Sequence, residues 1–139
     1  MARVTEAMTG LFQSLGLLIL RVGAGGMMIY AHGWGKLTKF AETTQFVDPF
    51  GIGPKATFGL VIGAEVLCAA LVVLGLATRI ATIPLIVAMS YAAFIHHASD
   101  AFADKEKALL FLTAYAALLL TGPGRFSVDA LFARRRQKA

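Results

Sequence analysis

An apolar stretch from Thr57 to Thr78, TFGLVIGAEVLCAALVVLGLAT, constrains the fold more than any other part of this sequence. About 20 such residues are long enough to cross the hydrocarbon core of a bilayer as a helix. Glu65 is the one charged residue in the stretch, and an unpaired carboxylate is costly in lipid. We therefore expect a membrane-spanning helix that turns Glu65 towards protein or water, where the carboxylate meets a partner.

Small residues predict where the helices approach one another. Gly59 and Gly63 form a GxxxG ridge in this stretch, and such a ridge lets a second helix come close. The glycines of the first apolar stretch predict close packing in the same way: Gly16, Gly23, Gly25 and Gly26.

The composition places the chain among membrane proteins. Of its 139 residues, 58% are hydrophobic and only 15% are charged, whereas soluble domains have about 45–50% apolar residues. The excess lies in four blocks, which predict spans at about residues 11–33, 57–78, 80–98 and 104–122. We expect one domain over residues 1–139, with an all-α fold: an antiparallel bundle of four transmembrane helices.

Two shorter elements complete the predicted fold. A short interfacial helix is expected from Lys36 to Phe46, between the first two spans, with Trp34 suited to the membrane surface. Ser127 is expected to cap a C-terminal helix that carries Asp129 in its first turn. Apolar residues opposite a run of arginines predict that this C-terminal helix is amphipathic and basic.

The distribution of basic residues predicts topology rather than nucleic-acid binding. The formal net charge is +5. The basic residues concentrate at Arg79 and in a basic cluster at the end of the chain: Arg125, Arg134, Arg135, Arg136 and Lys138. Such clusters beside spans mark the cytoplasmic side and attract anionic lipid. We expect an inner (plasma) membrane protein with both termini in the cytoplasm, and with the 32–55 and 99–107 connections facing outward. The lone Cys68 excludes an intrachain disulfide and is expected to be a small core residue.

Arg21 and Glu65 are the ionisable residues inside the first two spans. Arg21 lies about halfway along the first span, and Glu65 lies in the outer half of the second. Because the two spans run antiparallel, we expect these residues at similar depth, as a pair. An ionisable residue inside a span is by default a functional candidate. A buried ion pair that only fixes helix packing is the alternative, and the sequence leaves both open.

A second group of polar residues lies at the predicted outer end of the bundle: His32, Lys36, His96, His97 and Glu106. With Glu65, these side chains are expected to border one outward-opening pocket. Adjacent helical residues point about 100° apart. One of the two neighbouring histidines therefore faces inside, and we favour His96, as a group that transfers protons near neutral pH. Interfacial histidines that bind headgroups and water are the alternative. Haem or metal binding by these histidines is disfavoured, since no tight ligand spacing is present.

Several motifs together resemble the DoxX family of small four-helix membrane proteins. They follow the family's order over most of the chain: LLILRVGAGGMMIYAHGWGKL (Leu17–Leu37), GAEVLCAALVVLGLATRIAT (Gly63–Thr82), His96, KEKALL (Lys105–Leu110) and TGPGRFSVDA (Thr121–Ala130). The resemblance carries ten residues onto motif positions: Arg21, Gly33, Lys36, Glu65, Arg79, Glu106, Gly122, Gly124, Ser127 and Asp129. It implies a four-helix membrane fold. Some members are associated with quinone-linked sulfur oxidation, or act as partners of redox and detoxification proteins.

The first functional hypothesis is a subunit or partner of a quinone-linked membrane redox complex. Its pocket holds a quinone headgroup, with Glu65 and His96 as the catalytic residues that move protons. The proposed quinone contacts are Arg21, His32, Lys36, Glu65, His96 and Glu106. The sequence contains no electron-carrying cofactor site of its own, so an oxidoreductase role requires a protein partner in the complex, or a homo-oligomer.

The second hypothesis is a non-catalytic membrane scaffold or assembly factor. In it the same charges form a structural network. A transporter or channel is disfavoured by the small number of spans.

Overall fold

The computed structural model describes residues 2–42 and 45–137 of the chain, with side chains described from Thr5 onward. Within these residues every regular element is a helix, so the predicted all-α class is confirmed. The elements are α1 (Ala2–Met28), π1 (Ile29–Gly33), α2 (Trp34–Thr38), α3 (Pro54–Ile62), π2 (Gly63–Cys68), α4 (Ala69–Leu74), α5 (Thr78–Tyr91), π3 (Ala92–His96), α6 (Phe102–Thr121) and α7 (Val128–Arg136).

Consecutive elements join into long continuous helices. Three helices in the described part of the chain are long and apolar enough to cross a membrane: span 1 (Thr5–Thr38), span 2 (Pro54–Leu74) and span 3 (Thr78–His96). Helix α6 has 20 residues and packs along α5. Its first turns carry Asp104, Lys105, Glu106 and Lys107, which makes it less apolar than the other three.

The first long helix is longer at both ends than the predicted span at residues 11–33. It is already helical at Ala2 and continues through π1 to Thr38. The prediction of a separate surface helix from Lys36 to Phe46 is therefore wrong. Lys36 lies on the same continuous helix as span 1, and turns follow at residues 39–42. Residues 43 and 44 of the predicted segment lie outside the described residues.

The turn into span 2 is organised by Asp48. Its carboxylate accepts hydrogen bonds from the backbone N–H groups of Ile52 and Gly53, and from the hydroxyl of Thr57 at 2.6 Å. The Thr57 hydroxyl, with these N–H groups, holds the pKa of Asp48 below its usual value. Pro54 then begins α3, where its missing N–H costs no helical hydrogen bond.

Spans 1 and 2 approach each other at glycines of span 1. A Cβ atom added at Gly25 would lie 2.6 Å from Cγ2 of Val73, and one added at Gly33 would lie 2.7 Å from Cγ2 of Val66. No heavy atom lies within 4 Å of a Cβ placed at Gly63 among the described residues. The predicted Gly59–Gly63 ridge is therefore wrong as the surface of closest approach, because the observed packing turns Gly63 away from its neighbours.

The core lies between the three spans and α6. Its fully buried large residues are Met28, Val72, Leu85, Tyr115 and Leu118. Cys68 is half-buried and packs against this core as a free thiol, as predicted. At the C-terminal end, Ser127 caps α7 by accepting a hydrogen bond from the N–H of Ala130, which confirms the predicted cap. Lys138 of the predicted basic cluster lies outside the described residues.

Candidate functional site

A cavity of about 850 Å³ lies at the end of the bundle that carries the 39–53 connection. Spans 1, 2 and 3, the first turns of α6 and residues 46–50 line it. The lining is mostly apolar. Its ionisable side chains are His32, Lys36, Glu65, His96, His97, Asp104 and Lys107.

The buried carboxylate of Glu65 is the central polar group of this cavity. Its Oε1 accepts a hydrogen bond from Nζ of Lys36 at 2.5 Å, and the Glu65 side chain is only 3% exposed. The other oxygen, Oε2, is buried and has no hydrogen-bonding partner among the described residues. Buried carboxylate oxygens are normally satisfied. Oε2 is therefore a buried acceptor without a hydrogen bond to the described part of the chain.

The pairing of Lys36 with Glu65 follows from how closely spans 1 and 2 pack. A Cβ at Gly33 would lie 3.0 Å from the backbone oxygen of Glu65, so the helix backbones nearly touch at this level. Lys36 lies three residues after Gly33 on the continuous helix, and residues three apart share a helix face. The ammonium group therefore reaches the carboxylate. Its own side chain is 32% exposed, so the cation remains in partial contact with the surroundings.

Each of the three spans carries one π-helical segment, and each segment holds an ionisable residue of the cavity. His32 lies in π1, Glu65 in π2 and His96 in π3. In a π-helix the hydrogen bonds run from residue i to i+5, and such turns occur frequently at functional sites. The helical periodicity of the sequence gave no indication of them.

The three histidines differ in their contacts. The His32 ring packs edge-on against Phe111, with ring centroids 5.5 Å apart. His96 and His97 both border the cavity, so the expectation that only one of them faces inside is wrong. The helix ends at these residues, and His97 already has a non-helical backbone, so the 100° rule does not separate the two rings. Nδ1 of His97 lies 2.7 Å from a carboxylate oxygen of Asp100.

Arg21 lies far from the cavity, and the predicted Arg21–Glu65 pair is wrong. The guanidinium is fully buried at the other end of the bundle, where Nη2 donates to the backbone oxygen of Phe126. A Cβ at Gly75 would collide with its Nη1, so Arg21 lies opposite the turn between spans 2 and 3. Gly75 is ten residues beyond Glu65, which is about 15 Å along a helix. The prediction assumed that the middles of spans 1 and 2 lie at the same depth, whereas Lys36, near the end of span 1, lies beside the middle of span 2.

At the end of the bundle that contains Arg21, hydrogen bonds to backbone groups connect the C-terminal segment to the spans. The Asp129 carboxylate accepts hydrogen bonds from the N–H groups of Ala77 and Thr78, while its own N–H donates to the oxygen of Gly75. Arg79 donates to the oxygen of Leu120. These contacts hold the C-terminal segment against the turn between spans 2 and 3. We call Arg21, Gly75, Arg79, Phe126 and Asp129 the C-terminal cluster.

Helix α6 contributes residues that sequence reasoning missed. Glu106 is exposed and does not line the cavity, whereas Asp104, Lys107 and Phe111 do. Tyr115, further along the same face, is fully buried and donates to the backbone oxygen of Ala24 at 3.2 Å. The spacing 104, 107, 111 and 115 follows one helical face, so this stripe was a usable signal. Among the described residues, no three His, Cys, Asp or Glu side chains converge as a metal site requires.

Comparison with known proteins decides the family. The DoxX family model matches residues 16–98, more than half of the chain. The chain belongs to the DoxX family. It is similar to the inner membrane protein YqjF of Escherichia coli (strain K12), at 29% identity over 129 residues that cover 88% of this chain and 96% of that protein. No solved structure matches the chain. With its long apolar helices, this DoxX protein is a multi-pass inner-membrane protein.

The residues that the DoxX resemblance placed on motif positions separate into two groups in space. Gly33, Lys36 and Glu65 meet at the cavity. The others apart from Glu106 lie in or beside the C-terminal cluster: Arg21, Arg79, Gly122, Gly124, Ser127 and Asp129. In this DoxX protein the first group supplies a site with a buried charge, and the second connects the C-terminal segment to the bundle.

Proposed function

We propose that this DoxX protein binds a quinone headgroup in the cavity and acts as a subunit or partner of a quinone-linked redox complex. One observation carries the proposal. A mostly apolar cavity of about 850 Å³ contains a buried carboxylate with one oxygen bound by Lys36, and with the other unpartnered among the described residues. Ligand pockets combine apolar walls with a few placed polar groups in this way.

The residues of the cavity fit a quinone headgroup by size and chemistry. A flat ring with two carbonyl oxygens needs apolar walls for its faces and donors for its oxygens. The walls include Val61, Ile83 and Phe111, and the donors are Lys36 and the histidines. Oε2 of Glu65 would accept a hydrogen bond from the hydroxyl of the reduced form. When bound, the quinone supplies a couple that takes up two electrons and two protons.

In this proposal the protein side chains hold and transfer protons. Glu65 is placed to bind a proton at Oε2 while Lys36 holds Oε1. His96 is exposed at the end of span 3 and would pass protons between the cavity and the surroundings. The proposed ligand set excludes Arg21 and Glu106, which lie elsewhere, and gains His97, Asp104 and Lys107.

The proposal includes a fourth span and an orientation. Helix α6 is long enough to cross the membrane at about 30 Å, with Lys105 and Lys107 extending to the interface. Lys105 donates to the backbone oxygen of Ala98 at 2.7 Å, at the turn that precedes α6. Four spans place both termini on the cytoplasmic side, following the Arg and Lys clusters. The cavity then opens on the outer side.

The electrons would come from a partner protein that carries a redox cofactor. The sequence has one cysteine, so it lacks the thiolates that hold an iron–sulfur cluster. A subunit that binds quinone beside a separate redox protein meets this requirement.

A membrane scaffold is the second candidate, and the C-terminal cluster favours it. Arg21 is fully buried and binds the backbone oxygen of Phe126, and Asp129 binds the turn between spans 2 and 3. These contacts fix the bundle and its C-terminal segment, as a scaffold requires. They leave the Glu65 cavity without a role.

The test is the lipophilic content and the optical spectrum of protein purified from its own membranes. The proposal predicts co-purified quinone that can be reduced and reoxidised in a difference spectrum, at a ratio to protein well above that of the surrounding lipid. Glu65→Leu, purified in the same way, should lose it. Equal quinone in both samples would refute the headgroup site and favour the scaffold, and a haem band would overturn the choice of cofactor.

A further inference from the structure

A second, smaller cavity borders the first. It is a groove of about 420 Å³ between α1 and α6. Apart from Lys107, all the residues that line it are apolar, among them Gly23, Met27, Leu110, Phe111 and Ala114. Phe111 and Lys107 line the groove and the Glu65 cavity alike. The two spaces therefore meet at these two side chains, with polar groups on one side and a mostly apolar groove on the other.

Small side chains create the groove. No heavy atom lies within 4 Å of a Cβ placed at Gly23, as far as the structure describes the chain. Ala114 faces the same space from α6. Larger residues at these two positions would narrow it.

We propose that the groove holds the apolar tail of the molecule whose headgroup occupies the Glu65 cavity. The ligand class is thus a long-tailed amphiphile taken from the bilayer: a flat headgroup with carbonyl oxygens and an isoprenoid or alkyl tail. This inference rests on the proposed headgroup site. It adds the location of the tail, which passes between helices α1 and α6.

The position of Phe111 supports this path. Its ring contacts His32 at the headgroup side and stacks at 6.2 Å on Tyr115 at the core side. Phe111 is half-buried rather than locked in the core. A tail that runs from one space to the other would pass along this ring, which lines both.

An ordinary lipid acyl chain is the competing occupant. Lipid is as apolar as the groove, so moving a tail from lipid into the groove removes no apolar surface from water. The binding free energy of the tail then comes only from close packing. Affinity alone is therefore a weak test. The location of the tail, and its dependence on an occupied headgroup site, discriminate between the two occupants.

The experiment uses the full chain in nanodiscs made from quinone-free lipid. The probe is a benzoquinone with a ten-carbon tail that ends in a photoreactive diazirine, and labelled residues are identified by mass spectrometry. A benzoquinone with a methyl group in place of the tail competes for the headgroup site. We expect labels at Met27, Leu110 or Ala114, and we expect excess short-tailed quinone to suppress them.

Two matched variants test the groove itself. Gly23→Leu places a larger side chain in the groove, at a position where a Cβ meets no heavy atom within 4 Å among the described residues. It should lower groove labelling by about threefold or more, while short-tailed quinone still binds. Gly26→Leu is the control, because its Cβ also meets no heavy atom within 4 Å among the described residues, and because it lines neither space. It should leave labelling unchanged.

The outcomes separate the two proposals. Groove labels that the short-tailed quinone does not suppress would assign the groove to bulk lipid and overturn the tail site. Labels elsewhere, with normal short-tailed binding, would also overturn the tail site but leave the headgroup site standing. If the short-tailed quinone does not bind the unaltered protein, the headgroup proposal fails and the tail site fails with it.

Discussion

Nζ of Lys36 lies 2.5 Å from Oε1 of Glu65, across the contact between spans 1 and 2. The pair joins the last turns of span 1 to the middle of the most apolar helix of the chain. Its carboxylate is almost fully buried, while its ammonium group is one-third exposed. Glu65 therefore joins spans 1 and 2 through one oxygen, while its other oxygen has no hydrogen-bonding partner among the described residues.

Removing either charge of this pair alone should destabilise the protein. Lys36→Leu leaves a buried carboxylate without its cation, and we expect a loss of about 2 kcal/mol, below the value for a fully buried pair because Lys36 is partly exposed. Glu65→Leu should cost a similar amount. The double variant should recover most of the loss. Thermal unfolding in one detergent measures all three, and fully additive losses would contradict a mutual pair.

Arg21 and Glu65 provide the matched control for that cycle. Arg21→Leu should be strongly destabilising, since it removes a buried group at the C-terminal cluster. Combined with Glu65→Leu, its effect should add to within about 0.5 kcal/mol, because the two sites share no partner. A large coupling energy between these residues would mean that they meet, contrary to the structure.

Substitution of Gly33 and of Gly35 by alanine should have opposite effects on the stability of the protein. Gly33→Ala places a Cβ 2.7 Å from Val66 and should cost about 1–3 kcal/mol through overpacking. It should also weaken the Lys36–Glu65 contact. Gly35→Ala meets no heavy atom within 4 Å in the described part of the chain, and should be neutral or stabilising by about 0.5–1 kcal/mol. Equal melting temperatures for the two variants would refute the close approach at Gly33.

Much of this could be predicted from the sequence, and the reasons for the failures are physical. Long apolar runs predict the all-α class and the three helices that are long and apolar enough to cross a membrane, and the Ser127 cap depends on local chemistry, so these features were predictable. The partner of Glu65 was not, because it depends on the register between two helices. Arg21 and Lys36 lie on the same helix about 22 Å apart, so the choice between them depends on which level of span 1 packs beside Glu65. The π-helical segments and the second inward-facing histidine depend on tertiary packing, which periodicity does not encode.

Stability at acid pH should depend on Asp48. Its pKa in the folded protein lies below the usual value of 3.8, so the carboxylate stabilises the 48–57 turn above that value. This contribution is lost as the pH falls through the folded-state pKa. Asp48→Asn should therefore show a shallower loss of melting temperature between about pH 5 and pH 2. Glu42→Gln, in the same connection, is the control. An unchanged slope in Asp48→Asn would contradict the role of these hydrogen bonds.

The orientation rests on the basic residues at Arg79 and in α7. A reporter fused after Ala139 should be active in the cytoplasm, and one inserted near Thr43 should be active in the periplasm. An active external reporter at Ala139 would refute either the fourth span or the orientation.

The most direct test is quinone binding across pH for Glu65→Gln, measured beside its melting temperature. The amide keeps the size of the side chain and still accepts a hydrogen bond from Lys36, so stability should change by only about 1 kcal/mol. It cannot take up a proton near neutral pH, so binding of the reduced quinone should weaken and lose its pH dependence. His96→Ala should show a milder form of the same change. Unaltered binding and pH dependence in Glu65→Gln, at normal stability, would contradict the assignment of Glu65 to the site.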